Sequence, residues 1–162
     1  MPGYCLDTNV FIQAEKGPYG MDIMPGFWDW LDQQVEAGMI FSSVMVYEEL
    51  TAGTDNIAEW SKSRQNSPLF QAPSPQAQFI FTDISDFVVA NYSPAEADYF
   101  LSGADPWVIA QAIEAGAKVV TMEKLAGPGA RKVKIPNICQ EFGAGWIDTY
   151  SLLRELGARF TL

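Results

Sequence analysis

The chain has 162 residues, 48% of them hydrophobic, a formal charge of −10 and no histidine. That size and apolar content fit one compact domain over residues 1–162 with its own core, while the acidity argues against a broad basic surface of the kind that grips nucleic acid non-specifically. Cys5 and Cys139 lie far apart, outside any CxxC pair, so neither a zinc site nor a disulfide framework is expected, and both read as reduced, buried thiols.

Met1-Pro2-Gly3-Tyr4 lacks a basic n-region and Asp7 interrupts the first apolar stretch, so no secretory signal is expected. No apolar run approaches a membrane span. The expectation is a cytoplasmic protein that does not enter a membrane. Tyr4-Cys5-Leu6 reads as a short buried strand, followed by a helix that starts at Thr8-Asn9 and breaks at Gly17-Pro18-Tyr19-Gly20. Pro25 opens a second helix with Phe27, Trp28, Leu31 and Val35 on one apolar face, and Gly38 ends it. Met39 to Ser43 reads as a second strand, and a helix carrying Val46, Tyr47, Glu48, Glu49 and Leu50 completes a βαβα order.

From Asp55 to Pro75 the chain turns polar, and the end of this stretch is expected to be a surface connection rather than a domain linker. A helix with Phe79, Ile80, Ile84, Phe87 and Val88 follows. Ser93-Pro94-Ala95-Glu96 then supplies an N-cap, a first-turn proline and a capping-box glutamate. A further helix runs from Pro106 to Ala115, Lys118 to Thr121 reads as a third strand, and Gly127-Pro128-Gly129 marks a loop. Val133-Lys134-Ile135 reads as a short strand ended by Pro136, and Asp148 to Leu156 as the last helix. Trp28, Trp30, Phe79 and Phe87 read as core or interface aromatics, and Asp29, Asp32, Glu36, Asp83 and Asp86 as solvated acids.

Four carboxylates fall where these apolar runs stop or helices begin: Asp7, Glu49, Asp105 and Glu123. Carboxylate oxygens suit Mg²⁺ or Mn²⁺, and ligands gather at the carboxyl ends of strands in parallel α/β sheets. Each acid also has a structural alternative. Asp7 and Asp105 are good helix N-caps, Asp105 more so because a proline follows it. Glu123 suits an exposed first turn, and Glu48 competes with Glu49 for the inward position.

The segments Leu6-Asp7-Thr8-Asn9-Val10-Phe11-Ile12, Val46-Tyr47-Glu48-Glu49-Leu50, Asp105-Pro106-Trp107-Val108-Ile109-Ala110 and Val119-Val120-Thr121-Met122-Glu123 resemble those of PIN-domain proteins, the fold shared by VapC-type toxin ribonucleases. Through Pro25-Gly26-Phe27-Trp28-Asp29-Trp30-Leu31 and Lys132-Val133-Lys134-Ile135-Pro136-Asn137-Ile138-Cys139, the chain is most similar to an uncharacterised prokaryotic PIN-like family. The resemblance implies a three-layer α/β/α fold with a short, mainly parallel central sheet flanked by helices. It makes Asp7, Glu49 and Asp105 metal-ligand candidates with Glu123 as the fourth acid, a position more often occupied by aspartate. Glu49 is preferred to Glu48 because the pattern places its acid directly before leucine. Thr8, Asn9 and Thr121 would orient ligands and waters. The implied activity is hydrolysis of RNA phosphodiesters with Mg²⁺ or Mn²⁺, in a toxin blocked by a cognate antitoxin protein and forming a homodimer.

Lys124, Arg131, Lys132 and Lys134 form the local basic run and are candidates for contact with the RNA backbone. Two other functions compete. A catalytically weak PIN-like interaction module fits the acidic charge and the longer Glu123. An aspartyl-nucleophile phosphotransfer enzyme would want an acid two positions after Asp7, where Asn9 cannot transfer a proton.

Overall fold

The computed structural model describes residues 3–162. Its first strand, β1 (Tyr4–Leu6), lies between β2 (Ile40–Ser43) and β4 (Lys118–Val120), with β3 (Phe70–Gln71) outside β2 and β5 (Trp146–Ile147) outside β4. All four pairings are parallel. Tyr4 stands beside Ile40 on one side and Lys118 on the other, and Leu6 stands beside Val120. A parallel sheet of this kind needs cover on both faces, and Cys5, Leu6, Val119 and Val120 are accordingly buried.

The cover comes from helices that divide by the direction of strand growth. From β1 the chain moves outward through α1 (Thr8–Lys16) and α2 (Pro25–Glu36) to β2, then through α3 (Val44–Leu50) and α4 (Asn56–Lys62) to β3. It returns across the sheet through α5 (Pro75–Asn91), α6 (Pro94–Ser102) and α7 (Asp105–Ala115) to β4, and continues through α8 (Ile135–Glu141) to β5 and α9 (Thr149–Glu155). Right-handed crossovers put α1–α4 on one face and α5–α8 on the other. The packing agrees: α1, α3 and α4 touch one another, while α5, α6 and α8 gather around α7. The result is a three-layer α/β/α architecture. Among the described residues no helix is long and apolar enough to cross a membrane.

Local chemistry accounts for most of the element ends. Pro25 starts α2, whose buried side chains are Phe27, Trp28, Leu31 and Val35, and Gly38 then takes a φ of 76° as the chain leaves that helix. Gly116 ends α7 in the left-handed region with a φ of 67°. Asp148 caps α9 by accepting from the Ser151 N–H.

Four expectations need correction. The end of the Asp55–Pro75 stretch is more than a surface connection, since buried Phe70 enters the sheet in β3, and earlier in the stretch Asp55 caps α4, an unforeseen helix that buries Ile57, Ala58, Trp60 and Ser61. Val133-Lys134-Ile135 is not a strand, because Ile135 begins α8 and Pro136 occupies the helical first turn where a missing N–H costs nothing. Phe79, read as a core or interface aromatic, is 72% exposed on α5, which removes the core half of that reading. Asp32 is not simply solvated but receives both Nε and a terminal nitrogen of Arg64 at 2.7 and 2.6 Å, and the same guanidinium lies 4.0 Å above the Trp60 ring, tying α4 to α2.

The strand order β3-β2-β1-β4-β5 reverses its direction of growth between β1 and β4. At such a switch point the helices leaving the two strands diverge to opposite faces and leave a crevice at the carboxyl ends. Asp7 directly follows β1 and Thr121 directly follows β4. The fold therefore delivers the first acid of the sequence to its natural crevice.

Candidate functional site

Asp7 occupies the N-cap position of α1, yet its side chain makes no cap hydrogen bond. Its N–H continues the sheet ladder to the Val120 carbonyl at 3.0 Å, and its carboxylate instead accepts from the Thr121 hydroxyl at 3.0 Å. Thr121 Oγ1 also accepts from the Glu123 N–H at 3.1 Å, so one buried threonine orients the acid after β1 and the turn after β4 together. The carboxyl of Asp7 is only 1% exposed.

Asp105 is the first residue of α7, and it does not cap that helix: the N-cap position falls on Ala104 and carries no side-chain bond. Asp105 shares the cleft with Asp7, Glu49 and Glu123. Burial first, then the charges of Asp7, Glu123 and Glu49, push its pKa up to about 8. Burial likewise raises Asp7, reinforced by Glu123 and Glu49 and opposed by the Thr121 hydrogen bond.

Glu49 is held at both oxygens. The Thr8 hydroxyl donates to Oε1 at 2.6 Å and the Ala104 N–H donates to Oε2 at 3.0 Å. Of the adjacent glutamates, Glu49 lines the cleft and Glu48 does not. Glu123 accepts the Ile135 N–H on Oε1 at 2.8 Å, joining the fourth acid to the start of α8.

These groups line a cleft of about 940 Å³. Asp7, Glu49, Asp105 and Glu123 contribute to its walls together with Thr8 and Asn9, and Lys132 and Lys134 line it as well. Lys124 and Arg131 are exposed but do not line it, so the basic run divides between cleft and outer surface. The loop between β4 and α8 is tied down by Asn137, whose side-chain amide exchanges two hydrogen bonds with the backbone of Ala126 at 2.9 and 3.0 Å.

Part of the cleft wall comes from α6, which sequence reasoning did not place at the site. Ser93 caps α6 by accepting from the Glu96 N–H at 3.3 Å. Glu96, expected to be consumed by a capping box, makes no reciprocal bond among the described residues and lines the cleft instead, as does Tyr99 one turn on. A signal was present in the i, i+3 spacing of Glu96 and Tyr99, but only the tertiary position of α6 turns that face inward.

Chemically the site offers oxygen donors only. The ion pairs among the described residues, Lys62–Glu59, Arg64–Asp32 and Lys118–Glu155, all lie elsewhere, so none of the four acids is held in an ion pair. Both cysteines are free and buried. Burial, then the charge of Asp7, pushes the Cys5 thiol up, and burial with Glu123 pushes Cys139 up to about 12, which removes thiolates from the donor set. Uncompensated carboxylates of this type suit a hard divalent cation. Among the described residues no group of three or more acidic or thiol side chains is already arranged to hold an ion. The acids share one cleft without being closed around one point.

A family model described as "Domain of unknown function (DUF4411)" matches residues 4–160. No match to a curated protein was found.

Proposed function

The chain belongs to the DUF4411 family, whose description names no activity, and we propose from the chemistry of its cleft that it is a metal-dependent ribonuclease. The observation that carries this reading is the convergence of buried Asp7 and partly buried Asp105 at the switch point of the sheet, in one cleft with Glu49 and Glu123, with none of the four in an ion pair among the described residues. Such a set is electrostatically unfavourable until a cation binds. Asp7, Glu49, Asp105 and Glu123 would hold Mg²⁺ or Mn²⁺, which supplies an activated water and neutralises charge on a phosphodiester.

The side chains have separate tasks around that chemistry. Thr121 fixes the direction of Asp7, and Thr8 with the Ala104 N–H fixes Glu49. Asn9 lines the cleft beside them. Lys132 and Lys134 line the same cleft as the acids, where they suit a backbone phosphate of RNA, while Lys124 and Arg131 are left to longer-range attraction. The resemblance to VapC-type ribonucleases adds a cytoplasmic toxin role, with an antitoxin covering the cleft and a second copy of the chain as partner.

A test is cleavage of cellular RNA in Mg²⁺ or Mn²⁺ by the wild type, Asp7→Asn and Asp105→Asn. Loss of activity by more than about 100-fold in both variants is expected, beyond the roughly 10–100-fold typical of outer-shell changes. Equal activity in all three proteins rejects the site. A second reading, an interaction module without catalysis, draws on the absence of a closed ligand set among the described residues. EDTA-sensitive cleavage by the pure protein removes it. The aspartyl-phosphate alternative is disfavoured by Asn9 and by the burial of Asp7, and failure to trap a phospho-enzyme would eliminate it.

A further inference from the structure

The α6 wall carries two side chains that the metal chemistry does not use. Tyr99 is 82% exposed yet lines the cleft, and its neighbour Phe100 is buried, so α6 is anchored by one aromatic while presenting the next. Glu96 lies one turn earlier on the same helical face, also lines the cleft, and has no side-chain hydrogen bond or ion pair among the described residues. The charges that raise Asp7 are those of Glu123 and Glu49, and those that raise Asp105 are Asp7, Glu123 and Glu49. Glu96 thus shares the cleft with the four acids but sits on the α6 face that carries Tyr99.

An exposed aromatic ring beside a free carboxylate is a poor structural device and a good reader of an unpaired base. Single-stranded RNA is recognised by stacking bases on aromatic side chains and hydrogen bonding their exposed edges. Such stacking tolerates any base, so selectivity has to come from the carboxylate, which only accepts hydrogen bonds. Guanine presents two parallel donors, N1–H and the exocyclic amino group, that match two carboxylate oxygens. Adenine and cytosine present an amino group without the adjacent ring donor, and uracil presents only a ring N–H.

Resting on the ribonuclease reading, we propose that Tyr99 and Glu96 form a base subsite in which Tyr99 stacks an unpaired base next to the reacting phosphate and Glu96 selects guanine. Lys132 and Lys134 on the cleft lining then hold the backbone while α6 reads the base. Glu96 and Tyr99 are specificity-determining residues here and touch no reacting atom.

The test is fluorescence anisotropy on the full chain with single-stranded RNA 8-mers of uridine carrying one central guanosine, inosine, adenosine or uridine. Ca²⁺ replaces Mg²⁺, and gels verify that each probe stays intact. The wild type should bind the guanosine probe about tenfold more tightly than the inosine probe, which lacks only the amino group. Tyr99→Ala should weaken every probe about tenfold, Tyr99→Phe should retain binding, and Glu96→Gln should abolish the preference for guanosine over inosine with little change in binding to the uridine probe. Because Tyr99 is largely exposed, the alanine variant keeps its fold, verified by an unchanged melting temperature. Unchanged affinities and preferences in Tyr99→Ala and Glu96→Gln overturn the subsite, as does a wild type that binds none of the probes. Mn²⁺-dependent cleavage that Asp105→Asn abolishes, alongside such unchanged affinities, sinks the subsite and leaves the ribonuclease. Guanosine-selective binding without any cleavage supports the subsite and sinks the ribonuclease.

Discussion

At the scale of single residues, the site is governed by carboxyls whose usual partners are missing. Asp105 with a pKa pushed up to about 8 binds its proton more tightly folded than unfolded, and Asp7 is raised in the same direction. Such a group contributes stability that is fully present below its unfolded pKa, near 4 for aspartate, and lost as pH rises through the folded value. The metal-free protein should accordingly melt at progressively lower temperature between about pH 4 and pH 8, and Asp105→Asn should flatten that slope; an identical slope in the variant contradicts the assignment. Thr121 is the second residue to probe. Thr121→Val removes the donor to Asp7 and the acceptor for the Glu123 N–H, and should lower Mn²⁺ affinity roughly 10–100-fold. Thr121→Ser should restore it, whereas equal affinities in all three proteins would remove Thr121 from the site.

At the scale of elements, the Glu123–Ile135 bond makes one acid serve both the cleft and the start of α8. Glu123→Ala should speed amide hydrogen exchange across residues 124–135, since the loop carrying Lys132 and Lys134 loses one of its anchors, while Glu123→Gln keeps an acceptor oxygen and should not. Equal exchange in the two variants would show that Asn137 alone holds the loop. The same region shows where sequence patterns mislead. Val133-Lys134-Ile135 alternates like a strand, but Pro136 fits a helical first turn and a distant glutamate receives the Ile135 N–H. α4 escaped notice because Ile57, Ala58 and Trp60 are interspersed with polar residues, and buried Ser61 looks like a surface residue in sequence. β3 and β5, each two residues long, are too short to show any period.

At the scale of the molecule, the parallel sheet and its reversal between β1 and β4 bring together acids separated by most of the chain length. Asp7 and Glu49 were legible because each closes or follows an apolar run, and Asp105 because it precedes a strongly apolar helix. Their separation from a capping role was not legible, since it depends on Thr121, Thr8 and Ala104 arriving from other elements. Glu96 and Tyr99 were hidden for the converse reason, a local capping pattern that the folded cleft overrides. The central claim is that this convergence awaits a hard cation, and it is tested most directly by titrating Mn²⁺ or Mg²⁺ into the wild type and Asp7→Asn while following thermal unfolding. The wild type should show a saturable rise of roughly 5–10 °C at a hundredfold excess over Kd, larger at pH 8 than at pH 6 because the cation displaces protons from the pair, and Asp7→Asn should show none. An equal rise in both proteins, or no rise in the wild type, would contradict the account.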